Sequence, residues 1–307
     1  MSLQPEQSIK HLAIIGVGLI GGSFARAMRS AGMVEHISGY GRNESNLKTA
    51  VQLDVIDDYS LDIKDIVKNA DLIFIATPVG SIQKILSEIK DHIKADAIIT
   101  DAGSTKVNVI QAAEMVFDKA PENFVAGHPI AGTEHSGVEA SFATLYQNHR
   151  VILTPSNYTN PEAVKWVTDL WKAAGANVLI MEAKHHDQVL AATSHLPHLL
   201  AFSLVNTLTT LDEKQEIFEN AAGGFRDFTR IASSDPSMWQ DICLANKDAL
   251  LENLEHFMGD LQQVKSALEK GDGEFLKQVF QRAKQSRDDF VDMSGSENLP
   301  PPNLKQK

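Results

Sequence analysis

Serine and histidine side chains follow two of the predicted strands, and both residue types take part in proton transfer. The motif TDAGSTK carries Ser104 and Lys106 after the predicted strand Ala97–Thr100, and AGHPIAGTEHSG carries His128 directly after Asn123–Ala126. Ligands bind at the C-terminal ends of parallel strands, where a histidine can act as a general base at neutral pH. Two interpretations follow: a general base, with Ser104 orienting it or the substrate, or a loop histidine that is satisfied by backbone.

A pair of histidines in the second half of the chain lies in the motif ATSHLPHLLAFSL. His195 and His198 are three residues apart and therefore share one face of a predicted helix, which Pro197 is expected to kink. Metal binding is one interpretation of such a pair. No Cys, Asp or Glu accompanies the pair at ligand spacing, so we favour one packed and one solvated histidine and expect no metal site.

Arginine side chains in the motif GGFRDFTRIASSDPSMW can bind an anion. Gly223 and Gly224 break a helix, and Arg226, Asp227 and Arg230 follow. Arginine is the natural bidentate partner of a carboxylate, so this segment is a candidate binding site for one. The alternative is an internal ion pair between Asp227 and Arg230.

A glycine-rich turn near the N-terminus is typical of dinucleotide binding. In HLAIIGVGLIGG the predicted strand His11–Gly16 is followed by Gly18, Gly21 and a predicted helix to about Ser30. The first glycine permits a tight turn, the second permits close approach of a pyrophosphate, and the third permits helix–strand packing. The alternative is a glycine-rich turn without a ligand, which the position between strand and helix disfavours.

The end of the second predicted strand bears on the choice of dinucleotide. The predicted strand His36–Gly41 runs into the sequence GYGRNES. Gly41 therefore stands where NAD sites usually carry an acidic residue, and the next residue, Arg42, would suit a 2′-phosphate. A solvated Arg42, or Glu44 serving the ribose hydroxyls of NAD, is the alternative. The predicted cofactor contacts, including the ATPV loop, are Gly16, Gly18, Leu19, Ile20, Gly21, Arg42, Thr77 and Pro78.

The elements that must position these residues divide the chain in two. Apolar strand-like runs alternate with helical segments as far as Met181, which predicts an α/β Rossmann-type parallel sheet. Beyond that point only helical periodicity is found, which predicts an all-α domain. Besides His11–Gly16 and His36–Gly41, the predicted strands are Asp71–Ala76, Ala97–Thr100, Asn123–Ala126, Arg150–Leu153 and Asn177–Ile180. We predict a dinucleotide-binding domain at 1–180, a helical substrate and dimerisation domain at 181–293, and a disordered tail at 294–307.

Composition narrows the partners and the compartment. The 307 residues carry a net charge of −12, which disfavours nucleic acid and anionic membrane, so a small anionic substrate needs local positive charge. No run approaches the length of a membrane span, no signal peptide is evident, and a single cysteine, Cys243, indicates a cytoplasmic protein. The long apolar helical segment predicts a homodimer.

The motifs, taken in order along the chain, resemble the prephenate dehydrogenase (cyclohexadienyl or arogenate dehydrogenase) family. The resemblance rests on GVGLIGGS, DAGSTK, GHPIAGTEHSG, SHLPHLLA and GGFRDFTRIASSDPSMW. It extends from about His11 to the last helices, and five motifs in the correct order are highly specific. We expect the stand-alone form, without a fused mutase or regulatory domain.

This resemblance implies a reaction and a role for each site residue. The reaction is NAD(P)-dependent oxidative decarboxylation of prephenate to 4-hydroxyphenylpyruvate, or of arogenate to tyrosine. His128 would take the proton of the ring hydroxyl, and Ser104 would orient that hydroxyl and the nicotinamide. The substrate-binding residues would be His198, Arg230, Ser194, Thr133 and Glu134, in a dimer formed through the helical domain. Gly41 and Arg42 depart from many NAD-using relatives, which points to NADP as a usable cofactor beside NAD.

Two other classes of protein share the general pattern. One is another oxidoreductase with a Rossmann and a helical domain, such as a β-hydroxyacid dehydrogenase or an imine reductase; the SHLPH and DFTR motifs argue against it. The other is a non-catalytic sensor that binds a dinucleotide, against which the intact His128 and Arg230 argue.

Overall fold

The computed structural model describes residues 8–133 and 135–295. The chain forms two compact units, the first extending to Leu250 and the second beginning at Leu251. All the side chains that the sequence motifs single out belong to the first unit, so that unit is described first.

A six-stranded parallel sheet forms the centre of the first unit. Its strand order is β3-β2-β1-β4-β5-β6, the doubly wound order of dinucleotide-binding folds, so the predicted Rossmann-type domain is confirmed. The strands are short, apolar and buried because helices cover both faces of the sheet. They are β1 (Ile9–Ile15), β2 (Val34–Tyr40), β3 (Asp58–Ser60), β4 (Leu72–Ile75), β5 (Ile98–Asp101) and β6 (Phe124–Val125).

The helices that flank this sheet enclose two apolar cores. They are α1 (Leu19–Ser30), α2 (Glu44–Gln52), α3 (Ile63–Val67), α4 (Ile82–Ile89), α5 (Val107–Phe117) and α6 (Pro161–Ala173). Because side chains alternate along a strand, Phe74 of β4 faces one core while Ile73 and Ile75 face the other. Phe74 stacks on Phe24 with ring centroids 4.3 Å apart, and Trp171 lies against both rings.

A second sheet corrects two of the strand assignments. β7 (Gly127–Pro129), β8 (Arg150–Leu153) and β9 (Asn177–Ile180) form a separate three-stranded sheet in which β7 and β8 are antiparallel. The prediction that the last two strands continue the parallel sheet is therefore wrong. Strand patterns are local, whereas pairing is decided by the chain reversal after β6, which the sequence does not show.

The same sheet corrects the position of His128. The position of His128 after a predicted strand indicates a loop, but this residue lies in β7 opposite Ile152 of β8. Its backbone is therefore fixed by a ladder of hydrogen bonds rather than by loop packing.

The rest of the first unit is helical, as predicted. The helices are α7 (Ala183–Leu190), α8 (Leu196–Thr209), α9 (Lys214–Glu219), α10 (Gly223–Thr229) and α11 (Pro236–Ala245). A π-helical turn, Ala191–His195, joins α7 to α8, and a 3₁₀ turn, Arg230–Ser233, follows α10. Among the described residues after Met181 there is no strand.

The interruption expected at Pro197 takes the form of this π turn. Pro197 lies in the first turn of α8, immediately after the wide turn ends. A proline within a continuous helix cannot donate to the preceding turn, and a local π turn is one way for the helix to accommodate the missing N–H. The π turn also places His195 at the point where the helix resumes, and such turns are frequent at functional sites.

The helix made of α7, the π turn and α8 is longer and more apolar than the sequence analysis allowed. By length and composition alone the apolar helical segment Ala183–Thr209 could cross a membrane. The expectation that no run approaches the length of a membrane span is therefore wrong, because the polar residues of this segment interrupt its apolar run without ending the helix. His186, Asp187 and His195 are buried and hydrogen-bonded within the chain, whereas Ala201 is the one buried residue of α8 in the single chain.

The second unit consists of two long helices. α12 (Lys247–Lys270) enters it from the first unit, and α13 (Gly273–Gly295) follows a turn in which Gly271 has a φ of +67°. α13 includes residues 294 and 295, which the sequence analysis assigned to a disordered tail. Extending an existing helix adds one hydrogen bond per residue, so weak helix formers can continue it. The rest of that predicted tail lies outside the described residues.

Candidate active site

The glycine-rich turn between β1 and α1 has the shape of a phosphate cradle. Gly16 has a φ of +97°, and a Cβ there would lie 2.5 Å from the carbonyl oxygen of Ala76. A Cβ on Gly21 would lie 2.2 Å from the oxygen of Gly16, whereas one on Gly18 would meet nothing within 4 Å. Gly16 and Gly21 are therefore required by packing, while Gly18 faces open space at the start of a helix. This arrangement fits a dinucleotide pyrophosphate.

The other predicted cofactor residues surround this turn. The methyl group of Thr77 lies 2.9 Å from the position of a Cβ on Gly16, and Pro78 introduces a 3₁₀ turn at Val79–Ser81. Leu19 is buried, and the carbonyl of Ile20 accepts a hydrogen bond of 2.6 Å from the hydroxyl of Tyr146. The loop after β4 thus borders the cradle.

Arg42 lies at the adjacent strand end. It is exposed and follows β2, whose last residue, Tyr40, accepts a hydrogen bond from the amide of Gly16. Glu44, the alternative group for the ribose, contacts the Tyr59 hydroxyl at 3.1 Å and the Lys48 ammonium at 3.1 Å. Lys48 in particular lowers the pKa of Glu44. Among the described residues, Glu44 is therefore engaged by Tyr59 and Lys48, whereas Arg42 makes no hydrogen bond or ion pair.

His128 is a buried histidine linked to two further side chains. Its Nδ1 lies 2.9 Å from Nε2 of His186, and Nδ1 of His186 lies 2.8 Å from Oδ1 of Asp187. All three side chains are buried. Burial lowers the pKa of His128 well below its usual value, and His186, Lys106 and His195 add repulsion. His128 is therefore neutral at physiological pH.

Asp187 joins helix α7 to the start of α5. Its Oδ1 accepts from the amide of Lys106 at 2.8 Å, and its Oδ2 accepts from the amide of Val107 at 2.9 Å. A carboxylate at a helix N-terminus satisfies free amides and interacts favourably with the helix dipole. The Asn246 amide donates to the carbonyl of Asp187 at 2.7 Å, which anchors α7 from the other side.

A fully buried ion pair holds the loop after β5 against β7. The Lys106 ammonium contacts Asp101 and donates to the carbonyl of Gly127 at 2.6 Å. Asp101 in turn accepts from the amides of Gly127 at 3.0 Å and Gly103 at 2.7 Å. Burial lowers the pKa of Lys106, and Asp101 opposes that shift. These bonds hold the loop that carries half-buried Ser104 against strand β7, which carries His128.

The two histidines of the SHLPH motif meet on Trp239 of α11. The ring of His198 stacks on Trp239 with centroids 3.7 Å apart, and its Nδ1 donates to the carbonyl of Ser194 at 2.8 Å. His195 is buried, with Nδ1 3.1 Å from the Asn246 amide and Nε2 without a hydrogen-bond partner among the described residues. Burial chiefly lowers the pKa of His195 to about 4.

The histidine cluster extends from the sheet to the arginine motif. The backbone of Ser104 approaches His195 closely enough to affect its pKa, and His195 also affects that of His128. Arg230 is near enough to His198 to help lower the pKa of that ring, after burial. The structure therefore brings together the predicted residues of three separate motifs. Within the described part of the chain, no three His, Cys, Asp or Glu side chains converge as metal ligands would.

Two predicted residues are not brought into this cluster. Thr133 is exposed, and its hydroxyl accepts from the amide of His135 at 3.2 Å. Glu134 lies outside the described residues.

Several residues of the site escaped the sequence analysis. They are Asp101, His186, Asp187, Trp239 and Asn246. The only available signal for His186 and Asp187 was the polar run KHHDQ at the start of an otherwise apolar helix. Trp239 closes a motif that was already singled out for its arginines.

Two family models match consecutive parts of this chain. The model described as the nucleotide-binding domain of prephenate dehydrogenase matches residues 24–180, and that described as its dimerization domain matches residues 182–282. The chain belongs to the prephenate dehydrogenase family. The resemblance inferred from the five motifs is therefore confirmed.

Individual members of the prephenate dehydrogenase family are similar over most of the chain. A cyclohexadienyl dehydrogenase of Zymomonas mobilis is 40% identical over 281 residues, covering 91% of this chain and 95% of the relative. A prephenate dehydrogenase of Bacillus subtilis is 38% identical over 279 residues, covering 90% of this chain and 75% of the relative. The family assignment makes this chain a dehydrogenase and disfavours the sensor.

A solved structure from the prephenate dehydrogenase family shares the fold. It is the crystal structure of prephenate dehydrogenase from A. aeolicus in complex with hydroxyphenyl propionate and NAD+. The TM-score is 0.86 at 36% identity, covering 92% of this chain and 99% of that chain. The similarity therefore includes both the sheet and the helices that follow it.

Proposed function

We propose that this chain catalyses the NAD(P)-dependent oxidative decarboxylation of prephenate to 4-hydroxyphenylpyruvate, or of arogenate to tyrosine. The observation that carries the proposal is a buried, neutral histidine, His128, which lies just beyond the C-terminal end of β6, at the same end of the parallel strands as the glycine cradle. Membership of the prephenate dehydrogenase family supplies the substrate class. A β-hydroxyacid dehydrogenase would share the cradle but has no need of the SHLPH and DFTR motifs.

His128 and Ser104 are the proposed catalytic residues. Neutral His128 takes the proton of the ring hydroxyl on Nε2, and the Ser104 hydroxyl orients that group. A bound nicotinamide supplies the acceptor for the hydride that leaves the same ring carbon. Loss of that proton and hydride converts the ring carbinol to a ketone. The electron pair of the ring–carboxylate bond then enters the ring as carbon dioxide leaves, and the resulting phenolate oxygen takes the proton back from His128. The task of the protein is to position the ring, remove the proton and exclude water.

Positive and polar groups at the helical side of the cluster are proposed to hold the substrate. Arg230 would bind a carboxylate, and His198, fixed on Trp239 and bonded to the backbone of Ser194, would hold the side chain. Thr133 and Glu134 are proposed for the remaining pocket wall. These groups provide the local positive charge that a dianionic substrate needs in a chain of net charge −12.

The cofactor is proposed to lie on the glycine cradle, with NADP usable beside NAD. The pyrophosphate would contact Gly16, Gly18 and the start of α1, at Leu19, Ile20 and Gly21, with Thr77 and Pro78 beside it. Exposed Arg42 would pair with a 2′-phosphate, while Glu44 contacts Lys48 and Tyr59. An NAD+ complex of the A. aeolicus relative supports binding of the dinucleotide itself.

The functional division of the chain and its assembly are also proposals. We propose a dinucleotide-binding domain at 1–180 and a helical substrate and dimerisation domain at 181–293, with a homodimer formed through the latter. The family model described as a dimerization domain supports the dimer. A cytoplasmic location is proposed from the single cysteine, half-buried Cys243.

A steady-state assay that crosses prephenate and arogenate with NAD and NADP tests the proposal. We expect cofactor reduction with at least one ring substrate, release of carbon dioxide, and no reduction with small β-hydroxyacids. Arg42→Ala should lower the ratio of kcat/KM for NADP to that for NAD. Turnover of small hydroxyacids alone would favour the other oxidoreductase class, and no turnover of any substrate would favour the sensor.

A further inference from the structure

A line of three buried side chains runs from strand β7 into helix α7. His128 contacts His186 at 2.9 Å, and His186 contacts Asp187 at 2.8 Å, each through a ring nitrogen. Resting on the proposed function, we infer that His186 and Asp187 are positioning residues that fix the tautomer of His128 and leave its Nε2 unprotonated toward the substrate.

The tautomers follow from the carboxylate at the end of the line. Two backbone amides, those of Lys106 and Val107, donate to the oxygens of Asp187, so the carboxylate is held as an acceptor. It can therefore contact Nδ1 of His186 favourably only if that nitrogen carries the proton. Nε2 of His186 is then a bare acceptor, and Nδ1 of His128 must donate to it. The remaining ring nitrogen of His128, Nε2, is left with a free lone pair.

The surroundings give this arrangement no easy alternative. His186 is fully buried, and its ring meets that of His128 edge-on with centroids 5.1 Å apart. Reversing both tautomers would place the lone pair of His186 against a carboxylate oxygen in a buried site, where an unsatisfied polar contact is costly. Asp187 also accepts from the amide of Val107 at the start of α5, and Asn246 donates to its carbonyl, so the carboxylate that faces His186 is itself held in place.

The three side chains His128, His186 and Asp187 also determine how the positive charge is stabilised when His128 accepts a proton. The proton leaves the substrate hydroxyl and binds Nε2, while the proton on Nδ1 stays in its bond to His186. Lys106, at the start of α5, is the positively charged neighbour of His128, and the rings of His186 and His195 lie close to it. Asp187, one residue beyond His186, supplies the nearest opposing charge along the line. A carboxylate behind a histidine serves similarly in other proton-transfer sites.

The test combines nitrogen NMR with kinetics on the full chain. In wild type without substrate, the ¹⁵N resonances of His128, assigned by their loss in His128→Asn, should show a protonated Nδ1 and an unprotonated Nε2. His186→Phe, which removes the acceptor, should give a mixture of tautomers and a kcat lowered by roughly 10- to 100-fold, as for other orienting partners of functional histidines. KM should change little.

His185→Phe is the matched control, because His185 is the exposed neighbour on the same helix. It should leave both the spectrum and kcat unchanged. His186→Gln keeps an acceptor oxygen and should retain more of kcat than His186→Phe. If the phenylalanine variant does not fold, the wild-type spectrum still decides.

The inference is overturned if wild-type His128 carries its proton on Nε2, or if His186→Phe keeps both the tautomer and kcat. A glutamine variant no more active than the phenylalanine variant would also contradict it. The tautomer is measured without substrate, so it is decided even if wild type turns over neither prephenate nor arogenate. That second result would refute the proposed function alone.

Discussion

At the scale of single residues, His128 combines burial with a well-defined hydrogen-bond partner. Replacing it with asparagine should lower kcat by roughly 10²–10⁴-fold, the usual range for loss of a general base, with little change in cofactor affinity. In wild type, kcat/KM should stay level through neutral pH and fall only below the usual range of histidine, because its pKa is lowered and the base must be neutral. Near wild-type kcat in His128→Asn would refute the assignment.

Arg230 is the residue whose effect should appear mainly in substrate binding. It is exposed and affects the nearby ring of His198, which is itself proposed to hold the substrate. Arg230→Gln should raise KM by roughly 10- to 100-fold, since a hydrogen bond to a charged group is worth about 1.5–3 kcal/mol. Arg226→Gln, a change of the same kind at an exposed position four residues earlier, is the control. An unchanged KM would assign Arg230 to an internal pair with Asp227.

The sequence could reveal a site residue only when the neighbouring sequence indicates its role. His128, Ser104, His198 and Arg230 lie in motifs whose residue types and strand or helix positions carry information on their own. His186 and Asp187 act through partners 58 and 80 residues away in sequence, at His128 and Val107. Only the fold shows that such residues meet, and only burial distinguishes His186 from its exposed neighbour His185.

At the scale of elements, the turn between β1 and α1 contains one glycine needed for packing, Gly16, and another, Gly18, proposed to bind the cofactor. Gly18→Ala should leave the apo melting temperature nearly unchanged, because a Cβ there meets nothing within 4 Å, yet it should weaken dinucleotide binding. Gly16→Ala should lower the melting temperature, because its φ is +97° and a Cβ would lie 2.5 Å from the Ala76 oxygen. Thermal unfolding and cofactor titration check both. Unimpaired cofactor binding in a folded Gly18→Ala would remove the cradle from the site.

Element prediction succeeded where periodicity and composition decide the outcome, and failed where partners decide it. The doubly wound sheet and the helical half follow from the alternation of strand and helix patterns before Met181 and its absence afterwards. β8 and β9 read as ordinary parallel strands, but β8 pairs antiparallel with β7, which is only three residues long. Such a short strand has no detectable periodicity. The π turn before Pro197 likewise depends on packing that no local pattern encodes.

At the scale of the whole molecule, buried neutral histidines make the free energy of unfolding depend on pH. The pKa of His195 is lowered to about 4 in the folded state from 6.5, so below pH 6.5 the unfolded chain binds a proton that the folded chain does not. Stability is therefore full above pH 6.5 and declines toward pH 4, by about 3 kcal/mol for this residue. Urea unfolding at pH 7 and pH 4.5 should show a smaller decline in His195→Gln than in wild type. His185→Gln, at an exposed position, should decline as wild type does; equal declines in all three proteins would contradict the argument.

The two long helices of the second unit expose more large apolar side chains than solvent favours. Met258, Leu268 and Phe280 are 60%, 64% and 61% exposed in the single chain, and large exposed apolar side chains are candidates for burial on association. We expect a two-fold dimer at micromolar concentration by sedimentation velocity. Phe280→Glu should raise its dissociation constant by roughly 10- to 100-fold, since burying a phenylalanine is worth about 1.5–3 kcal/mol. Gln281→Glu places the same charge on the adjacent exposed residue and should leave the dimer intact. A stable, active wild-type monomer at that concentration would refute the dimer, and a Phe280→Glu protein that dimerises as wild type does would remove this face from the interface.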